Sequence, residues 1–244
     1  MAKSTPDPDN SNKKITSYSE TPIWTTIPAT VKWLQKERNT FHAQNQYREL
    51  YERFRGINST IILLSAACIE GFLVECLLSY AIGNRFASKE TFEGRLDHDF
   101  LKRVSKAMFR DFPELFTLTL GKPLEELIEN KDLIGGVKLL FNFRNGIAHG
   151  RSVVYQTYAL DLEDDVDYEM GSQYKAIYDY LEKRNLIYRH EDIFKSEIAD
   201  HFADLVKPYI EAVISLLPVP QSDNIKALVT QAYRDNLILT VAKT

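Results

Sequence analysis

The chain has 244 residues, 44% hydrophobic and 26% charged, with a formal net charge of −4. That is the make-up of a soluble globular protein with one large domain, or one domain and an appendage. A sequence pI of about 5.8 excludes a global basic coat for nucleic acid. Charge is nonetheless uneven: "DLEDDVDYE" (161–169) holds six acids and no base. Outside it the 34 acids fall to 28 against 30 bases, which leaves room for a local basic cleft.

Residues 1–28 are rich in Pro, Ser, Thr, Asp and Asn, with Pro6, Pro8, Pro22 and Pro28 as breakers, and predict a flexible N-terminal arm ordered by a partner. "MAKSTPDPDNSNKK" has no apolar core and does not read as a secretory signal. From about 30 to 54 the spacing predicts a long amphipathic helix, with Val31, Trp33, Leu34, Phe41, Tyr47, Leu50, Tyr51 and Phe54 on its apolar side. Gly56 is expected to end it, and "NST" (58–60) to cap the next helix.

"STIILLSAACIEGFLVECLLSYAIG" (59–83) is long enough to cross a membrane, but Glu70 and Glu75 lie near its middle, where a carboxylate is costly in lipid. It predicts the buried central helix of a bundle and no membrane partner. Its two cysteines, Cys68 and Cys76, are the only ones and show no zinc-like spacing; they read as buried, reduced thiols of a cytoplasmic protein with no metal centre.

Further helices are expected over about 88–110, from near Pro123, and over 132–149. An irregular acidic insert follows at 151–171, where "RSVVYQTYAL" (151–160) could form a short hairpin. Helices are then expected over 173–187 and 192–217, the latter stopped by Pro218 and Pro220, and over 222–237, opened by Ser222. The fold class predicted is all-α, a single helical domain over 29–244.

One helix end carries chemistry. In "FNFRNGIAHG" (141–150), Leu140, Phe141, Ile147 and Ala148 flank Arg144 at helical spacing, so Arg144 lies on the apolar stripe and must be paired or line a cleft. Glu70 is likewise flanked by Ala66, Ala67, Leu73 and Val74. Two readings are open: a buried Glu70–Arg144 ion pair, which gains little stability, or Glu70 orienting Arg144 at a cleft wall. His149 follows Arg144 by five positions, about 140° around a regular helix. Asn145 and His149, four apart, are stacked neighbours, so the amide could fix the imidazole tautomer. Gly146 and Gly150 are expected to loosen the helix there.

"LLFNFRNGIAHG" resembles the signature helix of the HEPN superfamily (higher eukaryotes and prokaryotes nucleotide-binding), whose motif is an arginine, a polar residue, and a histidine after four to six intervening positions. Arg144, Asn145 and His149 match it. "SAACIEGFLVECL" (65–77) is similar to the family's earlier helix, with Glu70 in the place of its site-facing acid. The resemblance covers roughly residues 30 to 217, and the acidic insert and the arm match no part of the pattern. It implies a HEPN-type bundle, here with extra C-terminal helices, and a homodimer whose two motifs face each other across a cleft.

It also implies a metal-independent endoribonuclease of toxin–antitoxin or antiviral-defence type, without a cofactor. An antitoxin or a nucleotidyltransferase-like protein would be a partner. The alternative implied is a non-catalytic RNA-, nucleotide- or protein-binding module. The residue types suit the chemistry: histidine can act as base or acid near neutrality, and the arginine fork suits phosphate oxygens.

Other candidates are weaker. The acidic stretch lacks the Asp-x-Asp-x-Asp-Gly loop of a calcium site. His98, His190 and His201 read as surface residues, and His42 has no nameable partner. Lys183, Arg184, Arg189 and His190 read as a solvated helix end.

Overall fold

A helix of 39 residues, α2 (Glu49–Ala87), is the axis of the fold. Ile61, Ile62, Ala66, Cys68, Ile69, Phe72, Leu73, Cys76 and Leu77 are buried along it. A helix apolar on nearly every side must be covered on nearly every side. By length and composition α2 could cross a membrane. Here its apolar surface is covered by other helices of the chain, as the expectation of a central bundle helix requires. The computed structural model describes residues 22–42, 49–87, 100, 102–149, 155–158, 167–170, 172–188 and 192–238. Residues 1–21 of the arm, residues 161–166 of the acidic stretch, Gly150, His98, Arg189 and His190 lie outside them.

The domain begins earlier than residue 29. Ile23–Thr26 form a 3-10 turn that leads straight into α1 (Ile27–His42), whose second residue is Pro28. Trp24 is buried and meets Phe72 edge-on at 5.6 Å. A side chain at Gly71 would come within 2.7 Å of its Cβ. Residues 22–28 are therefore part of the packed structure, because an indole docked on α2 outweighs the breaking effect of the prolines around it.

The expected first helix is two helices. α1 ends at His42, and α2, already begun at Glu49, runs through Gly56 without a break. A glycine inside a helix costs about 1 kcal/mol relative to alanine, little beside the packing of so long an element. Asn58 caps nothing: it is buried, accepting from Arg38 at 2.9 Å and donating to the Phe194 carbonyl at 2.6 Å. Its predicted apolar side holds only in part: Val31 is buried and Leu34 packs against the core. Trp33 and Tyr51 are 55% and 49% exposed. The buried face of α1 runs through Ile27, Val31 and Arg38.

Of the helix expected over 88–110, the described residues show a helical end at Val104 and a 3-10 turn at Phe109–Asp111. An unpredicted helix, α3 (Phe112–Leu120), follows, with Pro113 in its first turn and Gly121 closing it at a φ of 80°. α4 is one turn, Leu124–Leu127, which Pro123 caps from outside. α5 (Lys131–Ala148) matches its expected span; Asn130 caps it by accepting from the Leu133 amide at 3.0 Å.

In the acidic insert β1 (Tyr155–Tyr158) pairs antiparallel with β2 (Asp167–Met170), Tyr155 opposite Met170. Part of the stretch expected to be irregular thus supplies a strand. α6 (Ser172–Glu182) returns along α5.

The helix predicted over 192–217 is divided into α7 (Ser196–Asp204) and α8 (Val206–Leu216). Pro208 has no N–H to donate to the Asp204 carbonyl one turn back, which explains the break at Leu205. α9 (Val219–Ile238) starts before Ser222 and takes Pro220 in its first turn, where a missing N–H does no harm. The described fold is mostly helical, and one apolar core runs from Trp24 to Ala232.

Candidate active site

α5 lies beside α2, and the last two turns of α5 carry the candidate residues. Leu140 and Phe141 below Arg144 are buried, Ile147 above it is half-buried, and Ala148 is exposed. Arg144 therefore stands at the edge of the buried stripe. Glu70 has the same position on α2, between buried Ala66 and Leu73 and exposed Ala67. The two edges meet: Arg144 Nη2 donates to Glu70 Oε1. Their side chains are 25% and 27% exposed. The ion pair is thus formed, but at the wet margin of the helix–helix contact.

An aromatic pair supports the guanidinium. Arg144 Cζ lies 5.3 Å from the centre of the Phe141 ring. Phe141 in turn stacks on Phe109, centroids 3.5 Å apart and planes 10° apart. A carboxylate and a ring face thus fix one planar cation. The sequence signal for Phe141 was its place one turn before Arg144; Phe109 had none, since it arrives from a different segment.

His149 closes α5, with φ −90° and ψ 5°, and is exposed. Asn145 is also exposed. The link between them is the helical one, from the His149 amide to the Asn145 carbonyl at 3.1 Å. Among the described residues no side-chain hydrogen bond joins Asn145 to the imidazole, or the imidazole to Arg144. Of the four predicted residues, then, Glu70 and Arg144 are brought together, while Asn145 and His149 face solvent at the same end of α5.

Gly146 does not loosen this end. It is buried, and a Cβ there would lie 2.6 Å from Tyr174 Oη. Gly136 is similar, with Tyr180 Oη 2.5 Å from the same virtual atom. Two missing side chains thus let the tyrosines of α6 press onto α5. At the far end Tyr180 Oη and His201 Nε2 are 2.9 Å apart. Arg184 covers the Tyr180 ring at 3.8 Å and reaches Asp132 at 3.4 Å. His201 is not a free surface residue. Burial, and then the Arg184 charge, push its pKa below the usual histidine value.

Arg38 is a buried arginine outside the candidate residues of the motif. It bonds Asp200 Oδ2 at 2.6 Å and Asn58 Oδ1 at 2.9 Å, and Gln35 holds the other Asp200 oxygen at 2.6 Å. The signal was present, since Arg38 lies seven residues after Val31 on one stripe. Cys68 and Cys76 are free and buried; burial pushes the Cys68 thiol up to about 12 and that of Cys76 well above the ordinary range. Among the described residues no group of three or more His, Cys, Asp or Glu side chains is placed to hold a metal ion.

Comparison of the chain with protein-family models, with curated proteins and with solved structures finds no match in any of the three.

Proposed function

We propose that the protein is a metal-independent endoribonuclease of HEPN type, acting in the cytoplasm as a toxin or in antiviral defence. The observation that carries this reading is the Glu70-held, Phe141-backed guanidinium of Arg144 at the same helix end as the exposed imidazole of His149.

In the reaction a 2′-hydroxyl loses its proton to a histidine and attacks the adjacent phosphorus. The bond from phosphorus to the 5′-oxygen breaks, and that oxygen takes a proton. Arg144 neutralises charge on the non-bridging oxygens, and Glu70 keeps its fork aimed. The products are a 2′,3′-cyclic phosphate and a 5′-hydroxyl. Arg144 and His149 point about 140° apart around α5. A homodimer would face the His149 of one copy to the Arg144 of the other across a shared cleft. An antitoxin or a nucleotidyltransferase-like partner would hold the nuclease in check.

A second reading, a non-catalytic RNA-, nucleotide- or protein-binding module, is favoured by the same divergence when the chain acts alone. One experiment separates them. Purified wild type and His149→Ala are incubated with RNA in EDTA, and the ends are analysed. Cleavage by wild type alone, leaving 2′,3′-cyclic or 3′-phosphate ends, supports the nuclease. Equal cleavage by both, or activity restored only by added Mg²⁺ or Mn²⁺, rejects it.

A further inference from the structure

A second site lies away from the motif. α1, α2, the α7–α8 junction and α9 enclose an open cavity of about 510 Å³. That is within the size range of pockets that take small organic ligands. Its walls include Ile27, Val31, Val206 and the ring of Tyr233. Ser65 and Cys68 line it too, but each already donates to a backbone carbonyl, Ser65 to Ile61 at 2.8 Å and Cys68 to Trp24 at 3.7 Å. The interior therefore suits an apolar body.

The mouth is charged. Lys32 and Lys207 stand there with one acid, Asp204. Lys207 shares its charge with Glu211 at 3.6 Å and lies 5.7 Å from the Tyr233 ring. Lys32 makes no ion pair among the described residues. Burial raises the Tyr233 phenol, which keeps its proton and remains a donor. The lining thus offers the cation of Lys32, a second at Lys207 that Glu211 partly offsets, and the phenol of Tyr233, against the carboxylate of Asp204, which is itself raised by desolvation and by neighbouring Asp200.

We propose that this cavity binds a free amphipathic organic anion, with an alkyl or aromatic body against Val31, Val206 and Tyr233 and a carboxylate head at Lys32. The proposal is independent of the nuclease reading, since Glu70, Arg144 and His149 do not line this cavity.

The test is calorimetric titration of the full chain with decanoate, octanoate, hexanoate, decanol and decylamine, all below micelle formation. Decanoate is expected to bind one to one and saturably, with affinity falling about fourfold for each methylene removed. Decanol and decylamine should bind more weakly. Lys32→Glu should weaken decanoate about three- to fivefold. Ala203→Phe, which fills the cavity from its half-buried wall, should abolish binding while the thermal melt stays cooperative.

No saturable decanoate binding to the full chain would overturn the proposal. So would decylamine binding as tightly as decanoate, or an Ala203→Phe variant that binds like wild type. If Ala203→Phe fails to fold, Lys32→Glu and the chain-length series still decide. Sedimentation with phosphatidylglycerol vesicles tests the other source of such an anion. Co-sedimentation lost in Ala203→Phe would assign the cavity to bilayer lipid and overturn the free-ligand reading.

Discussion

Glu70 and Arg144 form their ion pair at the rim of the α2–α5 contact, each side chain about one quarter exposed. Water reaches both groups, so stranding one is less costly than in a sealed core. Glu70→Ala should cost about 1–2 kcal/mol, between the values for exposed and buried pairs. It should also lower RNA cleavage, because the guanidinium loses its orienting partner. Urea melts and a cleavage assay check this; a variant unchanged in both would contradict the positioning role.

Arg144→Lys separates charge from shape. Lysine keeps the positive charge beside Glu70 but has neither the planar fork nor the flat face that lies over Phe141. We expect a melt within about 1 kcal/mol of wild type and a cleavage rate lower by a factor on the order of 10² or more. His149→Ala should melt like wild type, being exposed at the helix end. Its cleavage rate should fall about 10²–10⁴-fold, the usual worth of a positioned acid or base.

The two glycines Gly135 and Gly146 should respond in opposite directions to alanine. A Cβ at Gly135 meets nothing within 4 Å, so Gly135→Ala should stabilise by up to about 1 kcal/mol through helix propensity. At Gly146 the same atom would sit 2.6 Å from Tyr174 Oη and 3.1 Å from its Cζ. Gly146→Ala should therefore destabilise by about 1–3 kcal/mol. Adding Tyr174→Phe should recover part of that loss by removing the nearer atom. Equilibrium unfolding of the four proteins provides the comparison.

His201 should make stability depend on pH. Its folded-state pKa is depressed by burial and by Arg184, so the unfolded chain binds the proton more readily. The contribution is present above the unfolded histidine pKa, near 6.5. It is lost as pH falls through that value toward the depressed one. His201→Gln should flatten the wild-type loss of stability between about pH 7.5 and pH 5. A wild-type melt that does not change over this window would contradict the assignment.

The parts legible in the sequence were those where one strong local signal agreed with its surroundings. The apolar run of α2 and the stripe of α5 carried their own helical periods, and the Glu70–Arg144 pairing followed from two misfit charges on core-facing surfaces. The boundaries were lost where tertiary contact overrode local propensity. Gly56 reads locally as an end, because nothing nearby in the sequence shows that Asn58 is needed inward by Arg38 and Phe194. Trp24 sits among prolines and reads as part of an arm, although its binding surface is made by Gly71 and Phe72 nearly fifty residues later. Phe109 and Tyr174 shape the surroundings of the motif but come from elements whose meeting with α5 leaves no periodic trace. Asn145 and His149 lie four residues apart on α5, yet helical spacing does not bring their side chains into a bond.

α1 and α9 pack against each other although they are drawn from opposite ends of the described chain. Val31 and Tyr233, about 200 residues apart, line the same cavity. Closing so long a loop adds little to the equilibrium cost, since each doubling of length adds only about 0.6 kcal/mol. It weighs on order of assembly instead, because contacts between distant segments form after local ones. The α1–α9 seam should be the last to zip and the first to open, and amides of α9 should exchange with deuterated solvent well before those of α5. Any occupant of the cavity would act as a bolt across that seam, slowing exchange on both sides of it at once.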